Sequence, residues 1–491
     1  MIEIKKDENI KEKILRTTEN IEFLCGNKGK CGKCKVKLVS GKVNDLTETE
    51  KKTLTKDEIT NNIRLACLIE HRSDIVISEI TEKKKTYKNN LDIKEDIIIG
   101  IDLGTTTIEI DIFSYNSKDK ISSIKIDNPQ KKYGGDILSR LNYANESKSN
   151  HEKIRMEIVN SINEFNFIQK VKEIFIAGNT IMQYIFMDLE LKTIVKPPFE
   201  PYNKNSISIE GNKLGINVNK GVLVHSFPLL GGFVGGDTYS VLLDYMSLNN
   251  NLENVFIVDI GTNCEILFFH GNTIYTASTP AGPAFEGGNI EYGMRSGDGA
   301  LKTIYIDENI NYTTINDTEL KGISGSSLIS LINELYISEF IDTTGKLVEK
   351  NLIYPEHNFR IRDNKFYIDK KIYISQNDIR EFQLAKAAIR GAIETIMEIE
   401  EITIKDIKKI VITGNFGKNI DKKSLINIGI VPNIMLDKLD YRENMVSNGI
   451  LKVIKNNNNI KLKKDIYKNI VYVNLSDNNK FKEYYIKHIN F

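Results

Sequence analysis

The sequence predicts an α/β protein in which a duplicated phosphate-gripping fold follows a small cysteine-bearing domain, and three observations carry that reading. Four of the five cysteines crowd the first 67 residues. The phrase IIIGIDLGTTTIEIDIF at 97–113 returns as VFIVDIGTNCEILFF at 255–269. A strand running into Gly178-Asn179 returns as one running into Gly414-Asn415. With 491 residues the chain has room for about three domains, each large enough for its own core.

Composition narrows the class further. Hydrophobic residues make up 41% and charged residues 27%, an ordinary globular balance that excludes collagen-like and largely disordered chains. Lys+Arg is 67 against Asp+Glu 66, a net charge of +1, so no global positive field draws the protein to nucleic acid or to anionic membrane. The opening MIEIKKDENIKEK lacks the apolar stretch of a signal peptide, and no apolar run approaches the length of a membrane span. A cytoplasmic location is expected, with neither nucleic acid nor membrane as partner.

Cys25, Cys31 and Cys34 stand as C-x5-C-x2-C in FLCGNKGKCGKC, and Cys67 follows in RLACLIEH. In a reducing compartment such spacing reads as metal chemistry. Glycines between the thiols let the backbone coil tightly and turn its N–H groups toward sulfur. Structural zinc usually takes two short-spaced pairs, whereas one Gly-rich loop with three cysteines and a distant fourth suits a 2Fe-2S cluster. Around the ligands, KVKLVSGKV predicts a hairpin turning at Ser-Gly, Thr47-x-x-Glu50 a capping box, and DIVISEI a closing strand. Lysines 28, 30, 33, 35 and 37 read either as a docking face for an acidic redox partner or as a solvated surface. The segment resembles a ferredoxin of adrenodoxin-like spacing, which implies a β-grasp fold for residues 1–82. Only IEI is available before IKEKILR to supply the usual opening hairpin.

Residues 83–96 form a polar linker. Beyond it the repeats set the organisation: 97–250 is the first half of a duplicated domain and 251–491 the second. Asp102 recurs as Asp259 after 157 residues, and Gly178 as Gly414 after 236, so the second half carries extra material, placed around 300–380. Two facing Gly/Thr hairpins can hold a polyphosphate from both sides through backbone N–H groups and hydroxyls. Gly104, Thr105 and Thr106 supply one, and Gly261, Thr262 and Asn263 the other. Asp102 and Asp259, at the strand ends, are placed to face Mg2+, which needs only one or two carboxylates beside the phosphates. Glu286, in AGPAFEGG with Gly282, either approaches the nucleotide or belongs to a turn. Cys264 reads as a buried hydrophobe rather than a nucleophile. Asp136 and Arg140 in YGGDILSR share a helical face and either pair or act in catalysis.

Residues 97–491 resemble the acetate and sugar kinase, Hsp70 and actin superfamily, with phosphate hairpins at 102–107 and 259–263. The resemblance implies an ATPase fold and an adenosine side at GNFGKN, hence Gly414, Asn415 and Gly417. It also implies a carboxylate at Asp237, in GGFVGGD, that orients water or touches Mg2+; the bare alternative is a helix cap. Joined to the 2Fe-2S segment, the whole is similar to the reductive activators of corrinoid proteins. Phrases that carry this include NPQKKYGGDILSR, KPPFEP, STPAGPAFEGGNIE and SGSSLISLINEL. The family implies ATP-dependent one-electron reduction of cob(II)amide to cob(I)amide in a partner corrinoid protein, with 2Fe-2S, ATP and Mg2+ as cofactors and a low-potential electron donor. The short linker leaves no space for the extra middle domain of longer activators, so the oligomeric state is open. A small-molecule kinase of the same superfamily explains the hairpins without the cysteines. Electron delivery to another metalloenzyme explains both.

Overall fold

The computed structural model describes all residues except 19, 20, 22, 24–28, 30, 31, 81–90, 250, 251, 415–419 and 457–468. The chain divides into two compact units, Met1–Gly236 and Asp237–Phe491.

The first unit begins with β1 (Ile2–Ile4), α1 (Ile10–Thr17), β2 (Lys35–Ser40), α2 (Glu48–Thr53), α3 (Lys56–Thr60), β3 (Ile63–Leu65) and β4 (Ile75–Glu79). The strands form one antiparallel sheet in the order β1-β4-β2-β3. A single strand precedes α1 rather than a hairpin. Ile4, Ile14, Val36 and Ile77 are fully buried in its core, following the period-two and i, i+4 patterns of strand and helix. DIVISEI is β4, as expected. The hairpin expected in KVKLVSGKV is not formed: β2 pairs with β3 and β4, and after the turn at Gly41 the chain carries Val43 to a bridge with His71 instead. Sheet partners more distant in sequence outcompete the local return.

The same unit continues with β5 (Ile97–Leu103), β6 (Thr107–Ser114), β7 (Lys120–Asp127), α4 (Ile137–Glu146), α5 (Lys148–Asn163), β8 (Val171–Gly178), α6 (Thr180–Phe186), β9 (Ser208–Glu210) and β10 (Leu223–Ser226). Their sheet order is β7-β6-β5-β8-β10-β9. β5, β6 and β7 run antiparallel, and β8 lies parallel to β5. Ile97, Ile98 and Ile99 are all inaccessible, because this central strand is covered on both faces.

The second unit comprises α7 (Gly236–Leu248), which begins at the division, then β11 (Val255–Ile260), β12 (Cys264–His270), β13 (Thr273–Thr279), β14 (Ala300–Ile306), β15 (Ile310–Thr314), β16 (Gly322–Ile323), α8 (Gly325–Ile337), β17 (Ile361–Arg362), β18 (Lys365–Tyr367), β19 (Tyr373–Ser375), α9 (Gln376–Ile399), β20 (Lys409–Gly414), α10 (Lys422–Asn427), β21 (Leu439–Tyr441), α11 (Met445–Lys455), β22 (Ile470–Tyr472) and α12 (Asn479–Lys487). Its main sheet runs β21-β20-β11-β12-β13-β22. The segment β13-β12-β11-β20-β21 repeats β7-β6-β5-β8-β10: three antiparallel strands and then two added in parallel. Two three-stranded sheets, β15-β14-β16 and β17-β18-β19, lie between β13 and α9 in sequence.

Helix α9 starts in a capping box between Ser375 and Asp378, and its length gives α12 and the chain end a surface to dock on. Lys386 Nζ donates to the carbonyls of His488 and Asn490 at 2.6 and 2.8 Å, and Gln383 donates to Ile489 O at 2.9 Å. Burial pushes the Lys386 ammonium down to about 8, with Arg390 adding repulsion.

Candidate redox and nucleotide sites

Of the four proposed cluster ligands, Cys25 and Cys31 lie outside the described residues. The fold brings the other two together: Cys34, at the entry to β2, and Cys67, in the turn after β3, have their sulfurs 3.3 Å apart. That separation is too long for a disulfide, whose sulfurs lie near 2.05 Å. Ala66 N donates to Cys34 O at 2.9 Å and fixes the two segments beside each other. Two neighbouring sulfurs, one fully buried, at the end of a Gly-rich loop fit a thiolate-ligated cluster. Gly29 has φ +68°, a left-handed backbone conformation that glycine adopts without strain.

The anchor of this region is Glu50. The expected capping box forms, with Thr47 Oγ1 accepting from Glu50 N at 3.1 Å and Glu50 Oε2 accepting from Thr47 N at 3.0 Å. The same carboxylate, fully buried, also takes Arg64 Nε at 2.8 Å and Leu65 N at 3.1 Å. Burial works against its ionisation, but the Arg64 bonds and the two backbone donors outweigh it and hold the acid below its usual range. Glu50 therefore links the helix after the cluster loop to the strand leading to Cys67. Arg64 was not singled out from sequence; a lone arginine in a short strand gives no sign of its partner. Of the lysines around the loop, Lys35 is engaged with Glu58 at 2.6 Å.

In the first of the two repeated halves, Asp102, next to last in β5, stands opposite Glu109. The hairpin of Gly104, Thr105 and Thr106 is pinned from two sides. Asn128 Nδ2 donates to Gly104 O at 2.8 Å and Asn128 N to Thr106 O at 2.9 Å. Asn179 Nδ2 reaches Thr105 Oγ1 at 3.2 Å, so the two repeated phrases of this half meet at one spot. Glu109 is met by Ser123 Oγ at 3.1 Å and by Lys125 Nζ at 2.9 Å. Asp136 caps α4 by accepting from Ser139 N, and the buried Arg140 donates to Gly134 O.

The second half repeats the plan with a hairpin one residue shorter, and Asp259 pairs with Glu265 across β11 and β12. Gly261 N donates to Asn263 O at 3.0 Å, and Thr262 Oγ1 donates to Glu286 Oε2 at 2.6 Å. Glu286 thus belongs to the hairpin's support. Gly282 starts the short turn leading to it. Asp237 lies in the first turn of α7. Burial pushes the Asp259 carboxyl up to about 7, helped by Asp237 and then Glu286. Glu265 is driven up as well, by burial and by the Asp237 and Asp259 charges. Cys264 is buried, and burial pushes its thiol up, as expected for a packed hydrophobe. Glu109 and Glu265 were missed as site residues; the matched E-I after each hairpin, in TTTIEI and TNCEIL, was the available signal. Asn415 and Gly417 lie outside the described residues. Gly414 ends β20 at φ +120°, and a Cβ on it would stand 2.2 Å from Ile260 O. Its first structural duty is close strand contact, as at Gly178, where a Cβ would stand 2.8 Å from Leu103 O.

Two repeated sheets with Gly/Thr hairpins, joined to a small sheet domain with clustered cysteines, define an iron-sulfur protein of the ASKHA class. A 2Fe-2S iron-sulfur cluster binding domain matches residues 1–71, the RACo middle region 97–249, and the C-terminal ASKHA domain of RACo 253–491. The chain belongs to this RACo family. The family's middle region therefore spans the first of the two repeated halves, against the expectation of a chain without a middle domain. The chain is 33% identical over 368 residues to the corrinoid activation enzyme RamQ of Eubacterium limosum, covering 70% of this chain and 61% of that protein. It is 24% identical over 370 residues to a [Co(II) methylated amine-specific corrinoid protein] reductase of Methanosarcina barkeri, covering 68% of this chain and 65% of that one. Each match spans less than two thirds of the relative's length. The solved structure titled a reductive activator for corrinoid, iron-sulfur protein shares the fold, with TM-score 0.73 and 24% identity over 99% of this chain and 96% of that one. Among the described residues no helix is long and apolar enough to cross a membrane.

Proposed function

We propose that this protein reduces a partner corrinoid protein from cob(II)amide to cob(I)amide, one electron at a time, and spends ATP to make the step proceed. The observation that carries the proposal is the placement of Cys34 and Cys67 sulfurs 3.3 Å apart in the same chain as two repeated sheets, each with a Gly/Thr hairpin. A small-molecule kinase has no use for the first feature. The names of the relatives support corrinoid as the acceptor.

Cys25, Cys31, Cys34 and Cys67 would hold the cluster, which when bound accepts and passes on single electrons. The protein's own part is to keep Cys34 buried and to fix Cys67 through the Glu50–Arg64 pair. Gly104, Thr105, Thr106, Gly261, Thr262 and Asn263 would bind phosphates. Asp259, beside Asp237, would present carboxylate to Mg2+, with Asp102 as its counterpart in the first half; Asp237 would orient the attacking water. Gly414, Asn415 and Gly417 would border adenosine. An uphill gap of about 200 mV costs roughly 4.6 kcal/mol for one electron, a sum within the reach of differential binding of nucleotide states. The electron comes from a low-potential donor and ends on the partner's cobalt.

The test measures phosphate release with a corrinoid protein in the cob(II)amide state, with the same protein already methylated, and with sugars, acetate and glycerol. Stimulation by the first alone, with cob(I)amide appearing in the spectrum, is expected. Equal rates with the first two, or phosphorylation of a small acceptor, would overturn the reading.

A further inference from the structure

Helix α1 is a seam. Its Ile10 and Ile14 belong to the core of the cysteine domain, while Leu15 packs against both that core and the core of the first nucleotide half. Between them Lys11 places its ammonium 5.6 Å from the centre of the Phe23 ring and 5.7 Å from that of Tyr143 on α4. Both distances suit a cation resting on aromatic faces. Phe23 belongs to the apolar core that includes Cys34 and against which Cys67 packs. Lys11 therefore lies between the cysteine pair and the nucleotide half. Among the described residues, the charges that act on it are Glu146 of α4 and Cys67. Tyr143 also faces Glu12 and Arg16 of α1.

We propose that Lys11 couples the charge of the cluster to the seating of its domain on α4, so that the reduced form is the more firmly docked. The inference rests on the cluster assignment made above. Reduction adds one negative charge on the cysteine side of the seam. A lysine held between two rings interacts with that charge more strongly than a solvated one, because the local dielectric is lower. Whatever docking does for the reduced form, reduction must do for docking, since the coupling is reciprocal. Lys11 acts through the seam and is a positioning residue.

The experiment uses the full chain, purified without oxygen, with iron and sulfide measured first. Lys11→Met keeps the apolar stem and removes the charge, whereas Lys11→Arg keeps the charge. In a spectroelectrochemical titration Lys11→Met should lower the reduced-to-oxidised ratio at fixed potential about threefold, or about 28 mV at 59 mV per decade, and Lys11→Arg should restore it. Amide hydrogen exchange in α1 and α4 should be slower in reduced than in oxidised wild type, and this difference should vanish in Lys11→Met. A Lys11→Met protein with full iron and an unchanged midpoint overturns the inference, as does an equal fall in both variants, which would mark Lys11 as structural only. A wild-type chain without iron overturns the cluster assignment itself and this inference with it.

Discussion

Asp259 stands directly across the strand pair from Glu265, and Asp102 stands in the same relation to Glu109. The repeated fold thus carries a repeated acid pair, but the two pairs differ electrically. Glu109 is met by Lys125. Glu265 instead faces two further acids, Asp237 and Asp259. Burial and the neighbouring acids push both Asp259 and Glu265 up, so a bound cation would favour their ionised forms.

Asp259→Asn should accordingly lower Mg-ATP hydrolysis by two orders of magnitude or more, on the scale of about 100-fold losses seen when a charge-stabilising group is removed. ADP affinity should fall less. Hydrolysis at the wild-type rate would move the Mg2+ site away from β11.

Asp237→Asn removes a like charge beside Asp259, so the nucleotide-free protein should gain about 1 kcal/mol, or about 2–4 °C in Tm for a unit of this size. Hydrolysis should fall in the same variant. Thermal unfolding without nucleotide, paired with a phosphate-release assay, checks both directions. A drop in Tm would show that Asp237 stabilises rather than strains the apo site.

Glu50→Ala should cost about 3–5 kcal/mol in the cysteine domain, because it strands the Arg64 charge in the interior. Denaturant unfolding followed by loss of cluster absorbance would read it. A variant as stable as wild type would mean that water reaches Arg64 easily.

Glu394 supplies a pH dependence. Burial opposes its ionisation, yet the nearby His488 and the Arg390 charge hold it down to about 2. Its folded value lies below the unfolded one, so its stabilisation is complete above the ordinary carboxylate range and is lost as the pH falls from about 4.5 toward 2. Glu394→Gln should flatten stability against pH in that window and loosen α12, which proteolysis near the chain end would detect. An unchanged slope would place the acid sensitivity elsewhere.

Gly414→Ala should destabilise the second unit outright, since its Cβ would meet Ile260 O at 2.2 Å. A reading confined to the adenosine site predicts weaker nucleotide binding on an intact fold, and calorimetric unfolding separates the two.

The sequence by itself determined the duplication and the Thr47-Glu50 capping box, because each depends on residues close in the chain or on a phrase written twice. Tertiary structure alone decided what those residues meet. Glu50 caps a helix by local spacing, but Arg64 reaches it only because β3 returns beneath α2. KVKLVSGKV has a hairpin's sequence, yet β2 takes β4 and β3 as neighbours, since those pairings also bury Ile75 and Ile77. Gly414 reads as an adenosine-side residue, and only the sheet adds that Ile260 O lies against it. Lys11 is one lysine among many until α4 places Tyr143 over it. In each case the deciding partner is distant in sequence, and burial and close approach are properties of the assembled pair.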